Sequence, residues 1–153
     1  MLDTSFCIRL MDKTDILHQN ALEYYKYFLE EKITIHVSTI VIAEYAVVDD
    51  PVNLPLNNFQ IESFDFIDAK SAGLFHTHLK GNQENIEGYN RRLVVNDIKI
   101  LAQIQTKKIE GIISKDLKSL KQYITPLIDA NYLNVKFIDL NITLSQTLGK
   151  LFI

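Results

Sequence analysis

Apolar and polar positions change period several times along this chain, and each change marks an element. In ILHQNALEYYKYFLEE, 16–31, Leu17, Ala21, Tyr24, Tyr25 and Phe28 recur at helical spacing. Thr14 or Asp15 is the expected cap. ITIHVS, 33–38, alternates Ile33, Ile35 and Val37 with Thr34, His36 and Ser38. That two-residue period and its β-branched content predict a strand. STIVIAEYAV then predicts a short helix from Ser38 or Thr39. DDPVNLPLNN, 49–58, carries two prolines and three asparagines and predicts an irregular connector. FQIESF, 59–64, predicts a strand. DFIDAKSAGLFHTHLK, 65–80, predicts a helix capped by Asp65 and ended by Gly81.

GNQENIEG, 81–88, predicts a second loop. NDIKILAQIQTKK, 96–108, predicts a helix opened by Asn96 or Asp97. GIIS, 111–114, predicts a short buried strand, DLKSLKQYI, 116–124, a helix, and VKFIDL, 135–140, a last strand. TLSQTLGKLF follows as a short final segment. At the front, MLDTSFCIRL places Asp3 at the end of a first strand, with Thr4 and Ser5 as a turn. This alternation of strands and helices predicts an α/β fold: one domain over 1–153, with a parallel sheet and helices on both faces. Ligands of such sheets bind beyond the carboxyl ends of the strands.

Composition narrows the picture. The chain has 153 residues, enough for one domain with a real core, with 47% apolar and 23% charged residues. Its formal net charge is −3, so binding nucleic acid by bulk charge is not expected. Any such role needs a local site or a metal. A single cysteine, Cys7, excludes an internal disulfide and fits a reducing cytoplasm. Between Phe6 and Ile8 it is expected to be a small buried hydrophobe. No run approaches the ~18 apolar residues of a membrane span. The N-terminus lacks a signal peptide's charged-then-apolar order. A cytoplasmic protein is the expectation.

The chain holds 19 acidic residues, so position is what counts. Asp3 ends the first strand. Glu44 lies in the helix after ITIHVS, Asp97 opens the helix after the second loop, and Asp116 directly follows GIIS. A parallel sheet brings all four toward one edge. Two unit charges about 4 Å apart repel by about 4 kcal/mol at an effective dielectric of 20. Such a cluster raises its own pKa values or takes a cation. Hard oxygen donors without Cys or a His pair favour Mg²⁺ or Mn²⁺ over zinc. The chemistry natural to such a site is phosphodiester hydrolysis.

Four short stretches carry a resemblance: LDTS with Asp3, STIVIAEY with Glu44, RRLVVNDIKILAQ with Asp97 and IISKD with Asp116. In this order and spacing the chain resembles the PIN-domain family, and within it the VapC-like toxin ribonucleases of toxin–antitoxin pairs. The resemblance covers essentially the whole chain. It implies a three-layer sandwich around a central, mostly parallel five-stranded sheet. It implies a Mg²⁺- or Mn²⁺-dependent endoribonuclease whose metal is held by Asp3, Glu44, Asp97 and Asp116. Thr4, Ser5 and Ser114 are implied to support that site by hydrogen bonds, and an antitoxin and a homodimer mate are implied as partners. Two features depart from the pattern. Family members usually carry several residues before the first Asp; here only Met1 and Leu2 precede it, so strand 1 is expected to be unusually short or to start upstream. Some members carry a further acid after the fourth, where this chain has LKSLK with Ser119.

Each residue also has a plainer reading. Asp3 alone reads as a turn residue, and Asp97 and Asp116 as helix N-terminal acids favoured by the dipole. Glu44, among Ile40, Ile42, Ala43 and Tyr45, is less easily explained that way. His76 and His78 lie two apart, so they do not share a helix face and are expected in solvent. His18 and His36 read as ordinary polar-face residues. Lys115, Lys118 and Lys121 form a stripe that either contacts RNA phosphates or is simply solvated. Arg91 and Arg92 reach RNA or a partner's carboxylates, or form a surface pair. With so many aromatics on 16–31, Tyr27 or Tyr24 is expected to face out, toward a partner. The LGKLFI end packs on its own domain or on a mate. Two other function classes remain. One is a non-catalytic PIN-like domain that binds RNA or protein. The other, a doubly wound nucleotide domain, is opposed by glycines that fit neither GxGxxG nor a P-loop and by Ser5 where an Asp-x-Asp start needs an acid.

Overall fold

The computed structural model describes residues 1–81 and 94–151, with the side chains of Lys150 and Leu151 left out. Its elements, in order, are α1 Thr4–Met11, α2 His18–Glu30, β1 Ile35–Ser38, α3 Thr39–Tyr45, β2 Phe59–Glu62, α4 Phe66–Gly81, α5 Asn96–Thr106, β3 Gly111–Ser114, α6 Leu117–Asp129, β4 Lys136–Asp139 and α7 Leu144–Leu151. From β1 onward strands alternate with helices, except that α4 and α5 follow one another; the predicted first strand is reduced to isolated bridges at Leu2. The chain divides into two compact units. The first comprises Met1–Glu62, Ile112–Asp116 and Phe137–Ile153; the second comprises Ser63–Gly111 and Leu117–Lys136.

The first unit carries the sheet structure, and here the five-stranded sheet is corrected. The described residues form two two-stranded sheets, β1 with β2 and β3 with β4. β1 and β2 pair in parallel from Ile35 opposite Phe59 to Ser38 opposite Glu62. The Lys136 N–H bonds the Glu110 carbonyl (2.8 Å) and the Leu140 N–H bonds the Ser114 carbonyl (2.9 Å). The residue offset is the same at both ends of β3 and β4, which makes that pairing parallel too. Between the sheets, Leu2 alone forms single parallel bridges to Val37 and to Ile113. Its N–H donates to the His36 carbonyl (2.8 Å), and the Asp3 N–H donates to the Ile113 carbonyl (3.1 Å). Pairing stops there because the chain turns into α1 at Thr4.

That helix is a second correction, since Thr4 and Ser5 open α1 instead of forming a turn. Phe6, Cys7 and Leu10 bury one stripe of it. The Asp3 carbonyl accepts from the Phe6 and Cys7 N–H groups (3.0 and 3.2 Å), which starts the helix. Ser38 caps α3 by accepting from the Ile40 N–H (3.1 Å). Leu2, Phe6, Cys7, Val37, Val41 and Tyr45 are buried in this unit. Tyr24 is buried as well, not turned out, and its hydroxyl lies 3.0 Å from the Ile142 carbonyl and 2.6 Å from Thr147 Oγ1. Tyr27 is half-buried. His36 Nδ1 lies 2.7 Å from Glu62 Oε1.

The second unit packs α4, α5 and α6 around Phe75, Leu79, Ile98, Leu101, Ile104 and Leu127. Asp65 starts α4 as predicted, its Oδ1 accepting from the Ile67 and Asp68 N–H groups (2.9 and 3.1 Å). His76 is buried, which corrects its solvent placement: α4 packs against both α5 and α6, so a wide part of its surface is covered. The ring of His78 stands 4.8 Å from that of Tyr132. α6 runs past its predicted end to Asp129, through Pro126. Most of the second loop, together with Arg91 and Arg92, lies outside the described residues. Among the described residues, no helix is long and apolar enough to cross a membrane.

Candidate functional site

The site is built where α1 begins. Asp3 stands at the N-cap position of α1, yet its carboxylate does not cap the helix. Its Oδ2 instead accepts from two hydroxyls, Ser5 Oγ at 2.7 Å and Ser114 Oγ at 2.6 Å. These come from the first turn of α1 and the last residue of β3. Both serines are buried, as is Asp3 at 9% exposure. Each hydroxyl also accepts a backbone N–H: Ser5 Oγ from Lys115 and Ser114 Oγ from Asp116, both at 3.0 Å. Oδ1 of Asp3 accepts no hydrogen bond from the described residues. The turn-residue reading of Asp3 therefore does not describe it: one oxygen is fixed by two donors and the other is left open.

Glu44 is placed by the neighbouring residue of the same turn. Thr4 Oγ1 donates to Glu44 Oε2, a short bond that ties α1 to α3. Glu44 is half-buried, in the second turn of α3, whose cap is Ser38. Adjacent residues Thr4 and Ser5 thus hold two different acids. Asp116 follows β3 directly, is exposed, and its carboxylate accepts no hydrogen bond from the described residues. Asp97 is half-buried in the first turn of α5, in the second unit. Of the predicted acids, the first unit therefore holds Asp3, Glu44 and Asp116. Lys115 is half-buried, and its peptide is part of the serine network. Lys118 is exposed on α6.

Two residues escape the sequence reading. Asp139 ends β4, and its Oδ1 accepts from Asn141 twice, from the backbone N–H at 2.9 Å and from Nδ2 at 2.7 Å. Asn141 Nδ2 also donates to the Lys115 carbonyl at 3.0 Å. The strand-end position that singles out Asp3 and Asp116 also marks Asp139. Nothing in the pattern marks Asn141.

The donor chemistry suits a hard cation, because every candidate ligand is a carboxylate oxygen. Among the described residues, no three His, Cys, Asp or Glu side chains are grouped closely enough to hold a metal ion. The Asp3 charge also acts on its neighbour: burial and then Asp3 push the Cys7 thiol up to about 12. Cys7 is buried and inert, as the sequence predicts.

No protein-family model and no curated protein matches this chain. Its fold is similar to that of a chain in the crystal structure of VapBC2 from Rickettsia felis bound to a DNA fragment from their promoter. The match covers 91% of this chain and 98% of that chain at 20% identity, with a TM-score of 0.60. At that identity the likeness establishes a common fold.

Proposed function

We propose that this chain is a Mg²⁺- or Mn²⁺-dependent endoribonuclease of VapC-like type, the toxin of a type II toxin–antitoxin pair. One observation carries the reading: the Asp3 carboxylate is fixed on one oxygen by two buried serines and left open on the other. That open oxygen is not sealed from solvent, so a water or a cation can take it. The likeness in fold to a VapBC2 chain supports the same reading and points to an antitoxin as partner.

In this reading Asp3, Glu44 and Asp116 hold the cation directly or through water, and Asp97 is the fourth acid that the resemblance implies. A bound divalent ion supplies charge neutralisation at the phosphodiester and lowers the pKa of a water. The chain's own residues do the positioning. Ser5 and Ser114 fix Asp3, and Thr4 orients Glu44. Lys115, Lys118, Arg91 and Arg92 contact RNA phosphates or the antitoxin's acids. The homodimer mate and the cytoplasmic location belong to the same proposal.

A second reading is a non-catalytic PIN-like domain that binds RNA or protein. It is favoured by the lack of a grouped set of three ligands among the described residues. Cleavage of single-stranded RNA in millimolar Mn²⁺ separates the two. The wild type is expected to cut. Asp3→Asn and Asp116→Asn are expected to lose at least about 100-fold while keeping their fold, since changes to outer partners alone cost about 10–100-fold. Full activity in Asp3→Asn overturns the assignment. RNA bound but left uncut by the wild type favours the second reading.

A further inference from the structure

We propose that Asn141 is a positioning residue for Asp116, a role that rests on the ribonuclease reading above. The Asp116 carboxylate accepts no hydrogen bond from the described residues, so its placement is set by its backbone. That backbone is held from two sides. On one side, Ser5 Oγ takes the Lys115 N–H and Ser114 Oγ takes the Asp116 N–H, both at 3.0 Å. On the other side, Asn141 Nδ2 donates to the Lys115 carbonyl at 3.0 Å. Both polar groups of residue 115 are thus bonded to side chains from elsewhere in the chain. Neither belongs to a helix or sheet ladder.

The chain of bonds is directional. Asp139 Oδ1 accepts from Asn141 Nδ2 and from the Asn141 N–H, which fixes the amide's orientation. Oriented this way, the amide presents its nitrogen to Lys115. At the other end, the two serine hydroxyls donate hydrogen bonds to Asp3 Oδ2. Asp139, Asn141, the Lys115 and Asp116 amides, Ser5, Ser114 and Asp3 form one hydrogen-bonded network. It connects the turn that carries Asp116 to the Asp3 carboxylate. A carboxylate at position 141 lacks the N–H donor and puts a second negative charge against Asp139. Asn141→Asp keeps the shape of the residue and reverses its function. Asn141 is exposed, so its loss leaves no cavity in the core.

The test uses the whole chain, with Mn²⁺ as probe. Wild type, Asn141→Ala and Asn141→Asp are titrated with MnCl₂, and the midpoint of the thermal shift is read. Amide exchange at Lys115 and Asp116 is followed without metal. In both variants the Mn²⁺ midpoint is expected to rise about tenfold, the effect of losing an outer partner. The Lys115 and Asp116 amides are expected to exchange at least about fivefold faster, while amides in α2 keep their rates. Asp139→Asn keeps an acceptor for Asn141 and is expected to stay within about twofold of wild type. A role confined to local folding leaves the Mn²⁺ midpoint where it was. A wild type that responds to Mn²⁺ with unmoved variants, or unchanged exchange at Lys115 and Asp116, overturns this inference alone. A wild type that does not respond to Mn²⁺ overturns the ribonuclease reading as well.

Discussion

Ser114→Ala removes a hydroxyl that serves three groups. It donates to Asp3 Oδ2 at 2.6 Å, lies 3.2 Å from Ser5 Oγ, and accepts the Asp116 N–H at 3.0 Å. A hydrogen bond to a charged group contributes about 1.5–3 kcal/mol and a neutral one about 0.5–1.5 kcal/mol. Ser5 continues to donate to Asp3, so the buried carboxylate keeps one partner. The Asp116 N–H sits in an exposed residue, where water replaces the lost acceptor. The net loss is therefore about 2 kcal/mol, near the value for one charge-assisted bond. In a chain of this size that lowers Tm by about 4–8 °C. Urea unfolding of wild type, Ser114→Ala, Asp3→Asn and the double variant measures it. Because the loss is assigned to one pair, the cycle should return a coupling of at least about 1 kcal/mol. A single-variant change under about 0.5 kcal/mol, the range of ordinary surface substitutions, refutes the reasoning. So does a coupling of zero.

Other predictions follow from the same packing. With its thiol pushed up to about 12, against an ordinary 9.0, Cys7 holds about a thousandfold less thiolate at pH 8, so iodoacetamide should label the folded chain at least that much more slowly than the unfolded one. Labelling within about tenfold of the unfolded rate contradicts the burial. The folded state favours the neutral thiol, so this stabilisation is complete below pH 9 and is lost as pH rises toward 12. Cys7→Ala should flatten the alkaline fall in stability over that window. Tyr24→Phe removes the hydroxyl shared with the Ile142 carbonyl and Thr147, and should cost about 1–2 kcal/mol with faster amide exchange in α7; unchanged exchange there contradicts the anchoring role.

The elements with local signals were legible in the sequence. β3 is a short apolar run bounded by Gly111 and Ser114, and its bounds match the pattern. α3 starts at its Ser38 cap and α4 just after Asp65. α1 was not legible: Phe6, Cys7 and Ile8 are apolar in succession, so no period shows, and the Asp3 side chain faces the serines instead of capping the helix. The five-stranded sheet failed for a non-local reason. Pairing at Leu2 depends on where α1 begins, which no strand pattern reports. His76 was misplaced because burial on α4 depends on two neighbouring helices. The candidate acids carry two signals in the sequence, a strand-end position and a resemblance. The bonds from Ser5 and Ser114 to Asp3 join residues far apart in sequence, and Asn141 works through a backbone carbonyl that composition cannot reveal.

The central claim is that the open oxygen of Asp3 takes part in holding a divalent cation. Thermal unfolding of wild type and Asp3→Asn across a Mn²⁺ titration tests it most directly. A ligand bound only to the folded state contributes about 2.7 kcal/mol at a hundred times its Kd. Wild-type Tm should therefore climb by several degrees through the millimolar range, while Asp3→Asn stays flat. Equal shifts in both proteins, or none in the wild type, contradict the account.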